Sequence, residues 1–211
     1  MTQRFPRSAT NIIVAVTVVA WIVAVILGQN ERAAYALGFI PARFSGFVLP
    51  FATTPAFLTP LTATLVHSTS PLHVGFNMLI LLWCGTQVER VLGATGLIVL
   101  YVIGAYAAAA AQWGMDPMAT VPVIGASGAV SAVIGAYALS FGRAKALTNN
   151  LWLNRWINVL WLMVAWVLLQ MSMTWLAGTR GVLVATAAHV GGFAAGLLLQ
   201  RPLLMWHYRK P

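Results

Sequence analysis

The sequence predicts an all-α membrane protein, a single bundle of six transmembrane helices with both termini in the cytoplasm. Of its 211 residues, 60% are hydrophobic and only 7% are charged, whereas a soluble domain carries about 25% charged residues. Six apolar stretches each approach the roughly 20 residues that cross a 30 Å hydrocarbon core. No alternating β pattern is visible, so helices must satisfy the backbone hydrogen bonds at membrane depth.

The six predicted helices follow one another in one domain, residues 1–211. They cover roughly residues 10–28, 72–88, 94–113, 126–142, 157–176 and 181–200. The first lacks a clear small-residue cleavage site, so we expect a retained helix and not a signal peptide. The long first connection, roughly 29–66, is itself apolar, and we expect it to lie in the membrane interface or to fold over the helices.

The basic residues predict the orientation. If the N-terminus is cytoplasmic, nine of the twelve lie inside: Arg4, Arg7, Arg90, Arg143, Lys145, Arg155, Arg201, Arg209 and Lys210. Only Arg32, Arg43 and Arg180 then lie outside. Because Lys and Arg concentrate in cytoplasmic loops, both termini are predicted to be cytoplasmic. The net charge of +9 therefore indicates topology and contact with anionic membrane lipids, with no nucleic-acid partner.

The scarcity of cysteines and acids excludes several kinds of site. Cys84 is the only cysteine, which rules out an internal disulfide and a cysteine-based zinc cluster. The only acidic residues are Glu31, Glu89 and Asp116. The pair of intramembrane aspartates that an aspartic protease needs is therefore absent. The His-Glu-x-x-His motif of zinc proteases is absent. We therefore expect no metal and no cofactor.

A serine lies between glycines where the fourth predicted helix begins, in Gly125-Ala126-Ser127-Gly128. Taken alone, such a serine is usually a packing residue that lets helices approach. Its position at a helix start changes the interpretation, because unpaired backbone N–H groups and the positive end of the helix dipole gather there. These groups can stabilise a developing oxyanion, so Ser127 is a candidate nucleophile.

The sixth predicted helix contains His189, which on its own would be interpreted equally well as polar glue between helices. Both helices carry small residues that permit close approach: Gly128, Ala132 and Gly135 on the fourth, and Gly192, Ala195 and Gly196 on the sixth. Close approach would allow a hydrogen bond of roughly 2.6–3.2 Å between Ser127 and His189. Glu89 is predicted on the cytoplasmic side, far from Ser127. We therefore predict a Ser–His dyad without an acid.

His73 and Asn77 lie one turn apart on one face of the second predicted helix. Both side chains can donate hydrogen bonds, and together they fit an oxyanion-binding site. The alternative is that they tie this helix to the first connection. His67 lies just outside the helix and is predicted to be structural.

Three motifs taken together resemble the rhomboid family of intramembrane serine proteases over essentially the whole chain. They are His73-x-x-x-Asn77 on the second helix, Gly125-Ala126-Ser127-Gly128 on the fourth, and Ala188-His189-x-x-Gly192-x-x-x-Gly196 on the sixth. The resemblance implies a six-helix rhomboid-like bundle that hydrolyses peptide bonds in or near transmembrane segments of other membrane proteins.

The resemblance also implies the roles of individual residues. Ser127 would be the nucleophile and His189 the general base, while His73, Asn77 and the backbone at Ser127 would bind the oxyanion. A substrate helix would enter laterally near the second and fifth helices and unwind into the site. The short basic tails and the six-helix form favour a bacterial inner membrane.

The chain departs from the family pattern at three places. Leu58-Thr59 stands where Trp-Arg is common, and the segment from His67 to His73 is one residue longer than the usual spacing. Ser131, four residues after Ser127, replaces the aromatic residue that in many members stacks on the histidine. We expect packing to orient His189 in some other way.

Two alternatives to a protease follow from the same residues. A catalytically inactive rhomboid-like protein would bind membrane clients and would not need a nucleophile, a base and oxyanion donors together. A small channel or transporter would use these polar residues as a permeation path. The sequence has no convincing internal repeat and almost no intramembrane charge, which disfavours a transporter.

Overall fold

The computed structural model describes residues 8–141, 147–176 and 185–209, and these residues form an all-α structure. The helices are α1 (Ala9–Ile26), α2 (Asn30–Leu37), α3 (Thr59–Thr62), α4 (Pro71–Ile80), α5 (Thr86–Met115), α6 (Ser127–Phe141), α7 (Leu151–Leu176) and α8 (Thr186–Tyr208). In the part of the chain described, β structure is limited to one isolated bridge between Phe39 and Val123. The predicted all-α class is confirmed for these residues.

Three of the described helical segments are long and apolar enough to cross a membrane: Ala9–Ile26, Pro71–Met115 and Leu151–Ser172. The second of these joins α4 to α5 through a π-helical turn, Leu81–Gly85. It has 45 residues, which at about 1.5 Å per residue is twice the hydrocarbon thickness. Gly93 interrupts it with φ 72° and ψ 165°. The interruption lies where the predicted helices 72–88 and 94–113 meet, so one residue with positive φ separates two span-length segments.

Two helices extend beyond their predicted bounds. α7 begins at Leu151 and not near residue 157, because the Asn150 side chain accepts hydrogen bonds from Trp152 N (2.9 Å) and Leu153 N (3.1 Å) and so caps the first turn. α8 continues to Tyr208 through Pro202, whereas hydropathy predicts an end near residue 200. Residues 181–184, where the sixth predicted helix would begin, lie outside the described residues.

The first connection contains more structure than a loop. It includes α2, α3 and the 3-10 turns Pro41–Ser45, Ala56–Leu58 and Ala63–Leu65. The β-bridge joins it to the segment before α6, through hydrogen bonds in both directions between Phe39 and Val123 of 3.0 and 2.7 Å. The connection is thereby fixed against the residues that lead into Ser127.

α1 lies antiparallel to α4 and is held at both ends. Near its end, Trp21 Nε1 donates to the Ser68 carbonyl, 2.8 Å away. At its start, the Glu89 carboxylate accepts from the backbone N–H groups of Ala9 (2.7 Å) and Thr10 (3.0 Å). The hydroxyls of Ser8 (2.8 Å) and Thr10 (2.6 Å) also donate to Glu89. The carboxylate therefore caps the positive end of α1 from another helix.

α6 forms the buried centre of the bundle, and it meets α8 backbone to backbone. Gly192 lies against the carbonyl oxygen of Gly128, and Gly196 lies against that of Ala132, so closely that a Cβ atom on either glycine would collide with the backbone. This order of contacts makes the two helices parallel. Gly135 lies equally close to the Phe193 carbonyl. Of the small residues predicted on both helices, Gly128, Ala132, Gly135, Gly192 and Gly196 thus lie at their interface.

α5 and α7 cross α6 in the opposite direction. On α5, Gly104 contacts Ala132 while Ala108 contacts Gly128, so the two helices are antiparallel. On α7, Arg155 donates to the Leu139 carbonyl near the end of α6, while residues further along α7 approach its start. Among the basic residues used to predict orientation, Arg4, Arg7, Arg143, Lys145, Arg180 and Lys210 lie outside the described residues.

Candidate active site

The structure brings together the serine and histidine of two sequence-distant motifs. Ser127 Oγ lies 2.9 Å from His189 Nε2, and the two side chains are only 8% and 4% exposed. Ser127 is the first residue of α6, and His189 lies in the first turn of α8. Because the parallel helices touch one turn further on, the distance between these side chains is set by backbone contact.

Gly125 shapes the turn that leads into Ser127. Its φ is 111°, a conformation that residues with a side chain rarely adopt, and its N–H donates to the Ala63 carbonyl at 3.0 Å. A Cβ atom at this position would lie 2.8 Å from His73 Nε2 and 3.8 Å from Ser127 Oγ. Because Gly125 has no side chain, His73 and Ser127 can both lie next to the space that a Cβ atom would fill.

His73 and Asn77 lie on α4, facing the start of α6. Asn77 is completely buried, and its Nδ2 donates to the His73 carbonyl at 2.9 Å, which leaves the second hydrogen of this amide for another acceptor. The Ser68 N–H approaches His73 Nδ1 at 3.5 Å. With Nδ1 as the acceptor, Nε2 carries the proton and is a donor beside Ser127.

His67 supports the turn that leads into Ser127, whereas the sequence predicted only that His67 is structural. Its Nε2 accepts a hydrogen bond from Ala126 N at 3.3 Å, and its ring meets that of His73 edge to face at 4.9 Å. Burial lowers the pKa of His67, and the nearby His73 lowers it further. The ring is therefore held neutral, as an acceptor of the Ala126 N–H must be.

No carboxylate among the described residues orients His189. Its Nδ1 is buried without a hydrogen-bond partner there. Glu89 is occupied at the start of α1, and Asp116 accepts from Met118 N in an exposed loop. The described residues also contain no group of three His, Cys, Asp or Glu side chains that could hold a metal ion.

Two side chains of α7 reach the site, and sequence reasoning did not find them. Trp166 is 4% exposed; its Nε1 donates to Ser131 Oγ at 2.7 Å, and its ring lies 6.3 Å from that of His189 in a T-shaped arrangement. One turn later, Gln170 Nε2 donates to Asn77 Oδ1 at 3.5 Å. The available signal was their spacing of four residues, which places both on one face of α7.

A small cavity of about 30 Å³ borders Ser127, enough for one or two water molecules. Alanines and glycines of α5 and α6, together with Thr64 and Pro60 of the first connection, line it. The arrangement thus combines a buried hydroxyl on an imidazole nitrogen, nearby hydrogen-bond donors and room for water. These are the groups that acyl transfer to water needs.

Comparison with known proteins shows similarity to a protein family and to a named relative. The family model described as the Rhomboid domain matches residues 54–206. The chain is also similar to the rhomboid protease GlpG of Yersinia pseudotuberculosis serotype I (strain IP32953), at 31% identity over 133 residues. That stretch is 62% of this chain and 42% of the relative, so the chain spans less than half the length of the curated protein it matches.

Proposed function

The chain belongs to the rhomboid family and is therefore an integral membrane protein; from this premise we propose that it is an intramembrane serine endopeptidase. The observation that carries the proposal is the 2.9 Å contact between Ser127 Oγ and His189 Nε2 at the start of a buried helix. A serine that only packs between helices needs no basic nitrogen hydrogen-bonded to its hydroxyl. A nucleophilic serine needs such a nitrogen, because a base must remove the hydroxyl proton.

In the proposed reaction, Ser127 Oγ attacks the carbonyl carbon of the scissile peptide bond while His189 Nε2 takes the hydroxyl proton. The oxyanion that forms accepts hydrogen bonds from the backbone N–H of Ser127, from His73 Nε2 and from Asn77 Nδ2. As the C–N bond breaks, His189 returns the proton to the leaving amine. Water then attacks the resulting ester, with His189 again as the base, which releases the new carboxylate and restores Ser127.

We also propose that the chain crosses the membrane six times. Support comes from the antiparallel pairing of α1 with α4 and of α6 with both α5 and α7, and from the break at Gly93. His207, near the end of α8, lies against Gly93, and Glu89 binds the start of α1, so the start of α1 and the end of α8 lie at the same side of the bundle. Arg90 and Arg209 lie at that side, which makes it the cytoplasmic one by the positive-inside rule.

The substrates that fit this site are transmembrane segments of other membrane proteins. An intact helix hides its carbonyls in its own hydrogen bonds, so segments with small or helix-destabilising residues near the cut are favoured. Entry between α4 and α7 is part of the proposal, because a hydrogen bond between two side chains, from Gln170 Nε2 to Asn77 Oδ1, joins these helices. The bacterial relative supports location in a bacterial inner membrane.

The experiment that tests the proposal needs no known substrate. Purified protein in detergent is treated with a fluorophosphonate probe, and the adduct is located by mass spectrometry, with His189→Ala as the comparison variant. We expect an adduct on Ser127 in the wild type and none in the variant. A folded wild-type protein without an adduct would contradict the protease and favour the binding of membrane clients.

A further inference from the structure

The hydrogen bond between Ser127 and His189 does not by itself fix the orientation of the His189 ring. Nε2 bonds to Ser127 Oγ, while Nδ1 is buried and unpaired among the described residues. A single hydrogen bond leaves the ring free to rotate about the N–O direction and to swing about its own side-chain torsions. Since proton transfer depends on the angle between the nitrogen lone pair and the hydroxyl, some other contact must hold the ring.

Trp166 makes that contact. Its indole meets the imidazole edge to face, with ring centroids 6.3 Å apart and an interplanar angle of 69°, an arrangement that aromatic pairs favour. Both side chains are at most 4% exposed. A bulky ring packed at a fixed angle restricts the rotation that the free Nδ1 would otherwise permit.

The indole is itself fixed relative to the nucleophile. Trp166 Nε1 donates to Ser131 Oγ at 2.7 Å, and the Ser131 hydroxyl donates to the carbonyl oxygen of Ser127 at 2.6 Å. Ser131 is completely buried, so neither bond competes with water. Ser131 therefore leaves room for the indole and anchors it to the backbone of the residue that His189 must activate.

We propose that Trp166 is the positioning residue for His189 and that Ser131 anchors it, so that α7 supplies the aromatic ring that α6 lacks. The inference rests on the proposed function, since it assigns Trp166 a part in activating Ser127. Trp166 touches no reacting atom and acts only through the imidazole. The same face of α7 carries Gln170, which bonds to Asn77, so one helix face contacts both the base and an oxyanion donor.

The test compares substitutions on one helix. Trp166→Leu removes the ring, Trp166→Phe keeps a ring but removes the N–H donor, and Trp161→Leu is the matched control, because Trp161 lies on α7 with 64% of its surface exposed. The rate of fluorophosphonate labelling at Ser127 is measured against pH, with thermal unfolding recorded for each variant. We expect Trp166→Leu to label about 10- to 100-fold more slowly, with a shifted pH profile. Trp166→Phe should keep most of the rate and Trp161→Leu all of it.

Rescue separates positioning from general packing. In the Trp166→Leu background, the additional change Ser131→Tyr places a ring on α6 beside His189, and we expect it to recover a large part of the labelling rate. Equal rates and pH profiles for Trp166→Leu and Trp161→Leu would overturn the proposal.

A readout independent of activity keeps the two proposals distinguishable. NMR signals of the His189 ring, in protein isotope-labelled at histidine, should shift and broaden in Trp166→Leu but not in Trp161→Leu. Folded wild-type protein that never reacts with the fluorophosphonate probe would contradict the proposed protease activity. Unchanged His189 signals in Trp166→Leu would contradict the positioning role whether or not the protein is a protease.

Discussion

The two sides of the candidate site are built differently. On the α6–α8 side, Gly192 and Gly196 lie directly against backbone carbonyls, and the glycines and the alanine that meet there have no side-chain rotamers to adjust. On the α4–α7 side, contact depends on side chains, such as the hydrogen bond of 3.5 Å between Gln170 and Asn77. The separation of Ser127 and His189 is therefore fixed by backbone contact, whereas the orientation of the His189 ring and the position of the Asn77 amide depend on a helix held by side chains.

The largest effect should come from disturbing the backbone contact. We expect Gly192→Ala to reduce fluorophosphonate labelling of Ser127 to background and to lower stability by about 1–3 kcal/mol, as overpacking of a close interface does. The new Cβ would collide with the Gly128 carbonyl and push α8 away from α6. Labelling rate and thermal unfolding measure the two effects.

The matched control is Gly114→Ala on α5, where a Cβ atom meets nothing within 4 Å. It should leave the labelling rate unchanged and the stability equal or slightly higher, because alanine favours helix. Similar losses of labelling rate and stability in Gly192→Ala and Gly114→Ala would mean that the α6–α8 contact does not control the separation of Ser127 and His189.

The next effect concerns the proposed oxyanion donor. We expect Asn77→Ala to lower the labelling rate about 10²- to 10³-fold, the usual cost of removing one such donor, while Gln170→Leu lowers it only a few-fold. Gln170 bonds to the oxygen of the amide and would not itself contact the oxyanion. A Gln170→Leu loss as large as that of Asn77→Ala would show that α7 and not Asn77 controls this half of the site.

A smaller effect is expected at the anchor of the indole. Ser131→Ala leaves the buried N–H of Trp166 without its acceptor, which costs about 1–3 kcal/mol of stability, and we expect a labelling rate reduced only a few-fold because the ring still packs on His189. Thermal unfolding in detergent measures the first effect. Stability equal to that of the wild type would indicate that the indole finds another acceptor or that the bond contributes nothing.

The smallest effect is the acid sensitivity of the turn before Ser127. Burial lowers the pKa of His67 in the folded protein, so the unfolded chain binds more protons once the pH falls below its ordinary value of about 6.5. Stability contributed by neutral His67 is therefore full above that pH and is lost as the pH falls. We expect the melting temperature of His67→Gln to fall less between pH 7.5 and pH 5 than that of the wild type. Parallel falls would contradict this account.

Sequence reasoning predicted those parts of the site that local patterns encode. Hydropathy gave the all-α class, and the spacing of small residues predicted the approach of Ser127 to His189, which the structure places at 2.9 Å. The catalytic roles of Ser127, His189, His73 and Asn77 remain predictions. Their positions on the expected helices follow from the motifs alone.

Contacts between distant segments that no motif or small-residue pattern marks could not be predicted in the same way. Nothing in the sequence distinguishes Trp166 from the other tryptophans of α7. Its partner Ser131 lies 35 residues earlier, and only the packing of α7 on α6 brings the two together. His67 is similar, since the N–H that it accepts belongs to Ala126, 59 residues later. The first turn of α7 was missed because Asn154 and Arg155 interrupt the apolar run that hydropathy follows, whereas the helix starts at the cap that Asn150 provides.

The Glu89 cap of α1 imposes an order on assembly. Ala9 and its cap are 80 residues apart, which a ribosome synthesising about 5–20 residues per second needs roughly 4–16 s to cover. During that interval α1 lacks the carboxylate that binds its N-terminal N–H groups in the finished protein. Water or lipid headgroups must then accept hydrogen bonds from these groups. α1 therefore completes its final docking only after the segment containing Glu89 has been made, although α1 itself is synthesised earlier.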